Sequence, residues 1–219
     1  MTHVYDEISF LTHKQLIALI LLAIILSAFI PHQGAFSETA INEETTKTTA
    51  IPEQEVPTIS SAGKENLKIN GVKSKGKLIR YTIPEQILKN DPKFLALMLE
   101  AEKYIGYPYV YGGSKPSTSF DCSGFVCWVF AKSGVYKTGR LGAKGLYGIC
   151  TDIPRNQARP GDLVFFEKTR GSDAKGITHV GIYVGNNMMI HAGDPVGFAD
   201  LKSASWAKKI YAFGRLPID

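Results

Sequence analysis

Cysteine is scarce in this chain: Cys122, Cys127 and Cys150 are the only three in 219 residues. Three thiols are too few for a disulfide framework. No C-x-x-C pair occurs, which argues against a thiolate zinc cluster. Basic residues are not interleaved with aromatics, so nucleic acid is not an expected partner. Acidic residues are missing from 66–80, which carries Lys68, Lys73, Lys75, Lys77 and Arg80 and so a charge of +5, the same as the net charge of the whole chain. Such a stretch reads first as a solvated basic linker, and second as a surface for membrane headgroups or a polyanionic wall. Long apolar runs are also few. The one candidate, "QLIALILLAIILSAFI" from Gln15 to Ile30, has about 15 apolar or small residues in a row, short of the ~20 that span a bilayer comfortably.

What remains is a globular composition divided into three pieces. Residues 1–14 precede the apolar segment, 15–31. A cleaved signal needs small residues at −1 and −3. Cleavage after Ala35 puts Gln33 at −3, and cleavage after Ala40 puts Glu38 there. The segment therefore reads as a retained transmembrane anchor rather than a signal. Lys14 lies before it and no Lys or Arg follows until Lys47, a bias that sends the rest of the chain outward. The expected location is the cell membrane, single-pass, with the folded domain outside; cleavage would make the protein secreted. Residues 32–80, rich in Thr, Glu and Pro, read as a disordered tether with a basic end. Roughly 45 residues of such coil reach ~35–40 Å.

Residues 81–219 carry the signals of a folded domain. "DPKFLALMLEAEKYIG" places Phe94, Leu97, Met98, Ala101 and Ile105 on one helical stripe, with Asp91 as cap and Gly106 as stop. "SFDCSGFVCWVF" starts a second helix that buries Phe125, Val126, Val129 and Phe130 and ends at Gly134. "DLVFFE" reads as a buried strand, "HVGIYVGNNMMIHAG" as a hairpin and "KKIYAFGRL" as a last strand. Helices followed by strands predict an α+β fold with an antiparallel sheet.

Cys122 falls in the first turn of its helix, capped by Asp121 or Ser119. Unpaired N–H groups and the helix dipole favour a thiolate there. Cys127 lies about 140° around the helix at ~100° per residue and reads as a small core side chain. Cys150 reads as structural or incidental. A nucleophilic thiol needs a base and a group that orients the base. His3, His13 and His32 flank the apolar segment, which leaves His179 and His191. A three-residue loop, Gly185-Asn186-Asn187, pairs Val184 with Met188 and Gly181 with His191. The two imidazoles then share a face at ~7 Å between Cβ atoms. A two-residue loop would put His191 on the opposite face.

With Cys122, His179 and His191 in this order, the chain resembles the NlpC/P60 family of papain-like cysteine peptidases over roughly residues 90–217. "PYVYGG" is similar to the family's Tyr-Val-Trp-Gly-Gly, with Tyr111 where Trp is usual. "DCSGFV" resembles its nucleophile motif, "PGDLVFF" its central strand, "HVGIYVG" its histidine motif and "MIHAG" the strand carrying its third polar residue. The resemblance implies a papain-like NlpC/P60 domain, with N-terminal helices packed on the antiparallel sheet, preceded here by a single apolar helix. It implies a cysteine endopeptidase that cleaves peptidoglycan stem peptides, most often at the γ-D-glutamyl–diamino acid bond. Cys122 is then the nucleophile, His179 the base and His191 the orienting residue. It implies further that Asp121 and Ser123 hold the substrate's amine and carboxylate, that Tyr109 lines the oxyanion region, and that Arg140 faces substrate. No metal or organic cofactor is required. Membrane-tethered wall hydrolases serve local remodelling, division, or passage of secretion and conjugation machinery, and the sequence does not choose among these partners.

Three other readings share these residues. A non-catalytic wall-binding module would keep the fold without the reaction. A cysteine transferase would pass the acyl group to an amine instead of water. A metal site built from His179, His191 and Asp121 would be lost on chelation.

Overall fold

The structure, a computed structural model, describes residues 55–169 and 175–218. The anchor expected at 15–31 and the tether up to residue 54 lie outside the described residues. No helix among the described residues is long and apolar enough to cross a membrane.

From residue 55 to 80 the chain is folded, which corrects the expectation of a disordered tether reaching to 80. Ile59 is fully buried beside Ile83, and Ile83 N–H donates to the Ile59 carbonyl at 3.0 Å. Ser61 Oγ donates to the Ile79 carbonyl at 2.7 Å, and Leu67 N–H to the Gly106 carbonyl at 2.8 Å. Strands β1 (Lys68–Ile69) and β2 (Val72–Lys73) form a small hairpin whose turn, Asn70-Gly71, has positive φ at both residues. Asn-Gly is a strong two-residue hairpin signal. Polar composition around it masked the signal, because a few anchoring residues hold this arm to the domain and the rest stay in water.

Two helices follow, α1 (Glu85–Lys89) and α2 (Pro92–Glu102). Asp91 caps α2 as expected, accepting from Lys93 N–H at 2.9 Å and Phe94 N–H at 3.0 Å. The predicted stripe of α2 is buried, and the chain turns out of the helix before Ile105. Gly106, at φ +95°, ends that turn where the arm crosses; a Cβ there would lie 2.0 Å from the Glu65 carbonyl oxygen.

Short strands β3 (Ser114–Lys115) and β4 (Ser119–Phe120) precede α3 (Cys122–Lys132), and α4 (Ala143–Tyr147) follows it. The remaining strands are β5 (Thr151–Ile153), β6 (Leu163–Glu167), β7 (Ile177–Gly185), β8 (Met188–Ala192), β9 (Val196–Asp200) and β10 (Ile210–Arg215), with a one-turn helix α5 (Ala204–Ala207) before the last. They build one antiparallel six-stranded sheet in the order β5-β10-β6-β7-β8-β9. The α+β expectation with helices packed on an antiparallel sheet is met. Sequence reading missed β5, which is three residues long, and β9, whose "VGFAD" has neither length nor alternation.

Alternation along the strands divides the core in two. Phe165, Val180, Ile182 and Ile190 join the helices in the main cluster. Val164, Phe166, Met189 and Phe213 form a second cluster, against which Trp206 and Ile210 pack. Helix α3 packs on β7 and β8, and that contact brings the candidate residues into one region.

Candidate active site

Cys122 is the first residue of α3 and is buried. Its helix is capped by Asp121, not Ser119. Asp121 Oδ1 accepts from Gly124 N–H at 2.7 Å and from the Ser123 hydroxyl at 3.0 Å, while Oδ2 accepts from Gly112 N–H at 3.1 Å. Ser119 instead has φ +61° and donates its hydroxyl to the Pro108 carbonyl. Gly124 lets the loop cross this helix end, since a Cβ there would lie 2.1 Å from the Gly113 carbonyl oxygen.

Arg140 reaches the same cap. Its guanidinium donates to Asp121 Oδ2 at 2.7 Å and to Ser123 Oγ at 3.0 Å. The three residues expected to face substrate are therefore bonded to one another, with Asp121 and Ser123 buried and the Arg140 side chain 41% exposed. Tyr109 is half-buried and bridges Phe120, two residues before Cys122. Its backbone N–H donates to Asp194 Oδ1 at 3.3 Å. Tyr111, where the family usually has Trp, is 76% exposed.

His179 Nε2 and His191 Nδ1 are 2.8 Å apart, and both rings are buried. The sequence reached this pairing by a different route. The loop has two residues, Asn186 and Asn187, each in the left-handed region, and Gly185 pairs with Met188. A register shift between Tyr183 and Gly185 adds one residue to β7. That bulge offsets the shorter loop, so Ile182 faces Ile190 and the two histidines return to one face. The expected Val184–Met188 pair is corrected, while the juxtaposition it was meant to explain is present.

Burial pushes the His191 pKa down to about 4. At neutral pH His191 is uncharged, with one ring nitrogen able to accept a hydrogen bond. Gly193 lies against the other side of the ring; a Cβ there would be 2.7 Å from His191 Cε1.

Trp206, on α5, is a neighbour the sequence reading missed. Its ring centroid lies 5.3 Å from His179, tilted 31°, and 5.0 Å from His191 at 86°. A lone Trp on a one-turn helix carries no periodic signal; only folding sets it against the imidazoles. Asp194 was missed for the same reason.

The other thiols are elsewhere. Cys127 is buried, with Sγ 3.6 Å from the Leu141 carbonyl oxygen. Burial, with the charges of Asp162 and Asp152, pushes the Cys150 thiol up to about 12, so it is not a nucleophile at neutral pH. None of the three cysteines is joined in a disulfide. Among the described residues no group of three or more His, Cys, Asp or Glu side chains is arranged to hold a metal.

A helix-terminal thiol, with its helix packed on a sheet that bears a buried imidazole pair, is the arrangement expected from the sequence. A model of the NlpC/P60 family matches residues 106–215, and the chain belongs to that family. It is 47% identical over 121 residues to the bifunctional muramidase/DL-endopeptidase CwlT of Bacillus subtilis, covering 55% of this chain and 36% of that protein. It is 48% identical over 122 residues to the probable endopeptidase p60 of Listeria innocua, covering 55% of this chain and 24% of that protein. The chain thus spans well under half the length of these curated relatives. A crystal structure of a lipoprotein-like NLP/P60 protein from Staphylococcus aureus is 40% identical, covers 59% of this chain and 43% of that one, and has a TM-score of 0.55.

Proposed function

We propose that this protein is a peptidoglycan hydrolase, a cysteine endopeptidase that cuts stem peptides at the γ-D-glutamyl–diamino acid bond. The observation that carries this reading is the buried His179–His191 bond on the strands against which the Cys122 helix packs. The DL-endopeptidase named among the relatives supports the substrate class.

The chemistry follows from the residues. The His179–His191 bond uses Nε2 of His179, so His179 accepts the thiol proton at Nδ1. Proton transfer requires Cys122 Sγ within hydrogen-bond reach of that nitrogen. Neutral His191 accepts from His179 Nε2–H before and after the transfer, which fixes the tautomer and the ring plane. A charged His191 would lose that acceptor and repel the imidazolium. The thiolate attacks the amide carbonyl; the Cys122 N–H and the Tyr109 hydroxyl donate to the oxyanion, at ~3–4 kcal/mol for one such donor. The imidazolium protonates the leaving amine, and water attacks the thioester with His179 as base. Asp121 and Ser123 receive the substrate's amine and carboxylate, with Arg140 alongside. In this reading residues 15–31 anchor the protein in the membrane and the domain works outside it.

The test incubates residues 55–219 with purified peptidoglycan and soluble stem peptides, beside a Cys122→Ala variant, and reads products by mass spectrometry. Cleavage after D-glutamate by wild type, with at least a 1,000-fold loss in the variant, is expected, on the order of losses for catalytic-triad members. Tight wall binding without cleavage would favour a binding module. Acyl transfer to an added amine in place of hydrolysis would favour a transferase.

A further inference from the structure

The basic stretch 66–80 is a fixed part of the domain. Burial alternates along it: Lys73, Lys75 and Lys77 are exposed, while Ser74 is buried and Gly76 and Leu78 are half-buried. The inward residues are tied down. A Cβ on Gly76 would lie 2.1 Å from the Asp194 carbonyl oxygen, Leu78 packs against Gly197 and the main core, and Asn66 Nδ2 donates to the Gly76 carbonyl at 2.7 Å. Lys75 N–H donates to Asp194 Oδ2 at 3.3 Å, the carboxylate that also receives Tyr109 N–H. Lys73, Lys75 and Lys77 therefore lie on the solvent side of the arm, along a path that bends at Gly76.

Two of these cations face each other. Lys68 and Lys73 are direct register partners across the β1–β2 hairpin, an arrangement that is unfavourable without a counter-charge. Among the described residues none of Lys68, Lys73, Lys75, Lys77 and Arg80 has a carboxylate within ion-pair distance, whereas Lys64 sits 3.5 Å from Glu102. Lys64, Lys77 and Arg80 line a groove of about 360 Å³ with Asn66 and Glu65.

We propose that this lysine row is a docking surface for a phosphodiester polymer of the cell wall, held beside the loops that carry Tyr109 and Asp194; the proposal rests on the wall-hydrolase reading above. A run of exposed cations without acidic partners is complementary to a polymer with a charge on every repeat, whereas a stem peptide carries carboxylates at separate points. The groove that Lys77 and Arg80 line at the end of the row is concave, unlike a bilayer surface, and its lining has none of the aromatics on which nucleic-acid bases stack. Because the backbone beneath the row is already fixed, binding has only the lysine side chains left to order.

The test uses the full chain in non-ionic detergent, carrying Cys122→Ala so that the wall stays intact. It is mixed with isolated Gram-positive walls before and after hydrofluoric acid has removed their phosphodiesters, over a range of salt. A Lys73→Gln/Lys75→Gln/Lys77→Gln variant is expected to bind untreated walls on the order of a hundred-fold more weakly at low salt. Its log–log salt slope should be shallower by about 2. Stripped walls should retain both proteins equally weakly. Equal binding of variant and wild type, or undiminished binding to stripped walls, overturns the proposal. Retention on phosphatidylglycerol vesicles that exceeds retention on walls and depends on the three lysines also overturns it, in favour of a membrane surface. Soluble stem-peptide turnover, measured separately with Cys122 present, should be the same with and without the lysines. Absence of that turnover in wild type would sink the hydrolase reading and leave the binding result standing.

Discussion

His191 has lost its water, and that governs its behaviour at the scale of the residue. Its pKa is near 6.5 in the unfolded chain and about 4 in the fold. Above pH 6.5 the ring is neutral in both states and has no linkage effect. Between pH 6.5 and 4 the unfolded chain takes a proton that the folded one refuses, so stability falls as pH falls, by about 3 kcal/mol in total. His191→Gln should lose this slice of the pH dependence, seen as a smaller drop in urea midpoint between pH 7.5 and 4. An unchanged drop would show that another group carries it. Trp206 acts on the same pair by contact. Two aromatic contacts at ~0.5–1.5 kcal/mol each hold the imidazoles in plane and keep water off them. Trp206→Ala should therefore lower stem-peptide turnover by about ten-fold or more, and Trp206→Phe should keep most of it.

At the scale of the element, two close crossings set the site. The first is the start of α3, where Gly124 allows the Gly113 carbonyl to pass over the helix. Gly124→Ala puts a methyl carbon where there is no space and must push the loop away from the Asp121 cap. The expected cost is about 1–3 kcal/mol in urea unfolding, with loss of turnover as Asp121, Ser123 and Arg140 come out of register. The second is the β7–β8 hairpin. Its histidine face was legible from alternation, and the two asparagines marked the turn. The bulge was not legible, because a one-residue insertion is selected by packing: Gly185, at φ +86°, sits where a Cβ would lie 2.9 Å from Ile87 Cδ1. Nothing local to the hairpin encodes that neighbour.

At the scale of the whole molecule, residues 55–80 are part of the folded domain. An arm that buries Ile59 completely and bonds to residues 81, 83 and 106 belongs to the cooperative unit. A chain starting at 81 should be less stable than one starting at 55 by at least about 2 kcal/mol, the burial of one isoleucine, read from urea midpoints. It should also turn over stem peptide more slowly, because Asp194, which holds Tyr109 N–H, then loses its bond from Lys75 N–H. Equal midpoints would return residues 55–80 to the tether.

The sequence by itself determined the two long helices, the Asp91 cap and a choice of two for the other, strands β6, β7, β8 and β10, and the three candidate catalytic residues. Each rests on a short-range rule: Asp91 and Asp121 cap because their carboxylates reach N–H groups two or three residues on, and β6 is buried because four apolar residues stand together. Tertiary structure alone decided the folded arm, strand β9, the bulge, the Trp206 contact and the closure of Arg140 onto Asp121. Apart from β9, which pairs with its neighbour β8, these depend on partners far along the chain, from 15 residues for Trp206 and His191 to 119 for Lys75 and Asp194. Their free energy appears only when the chain has closed those loops, and no local pattern of residue types reports it.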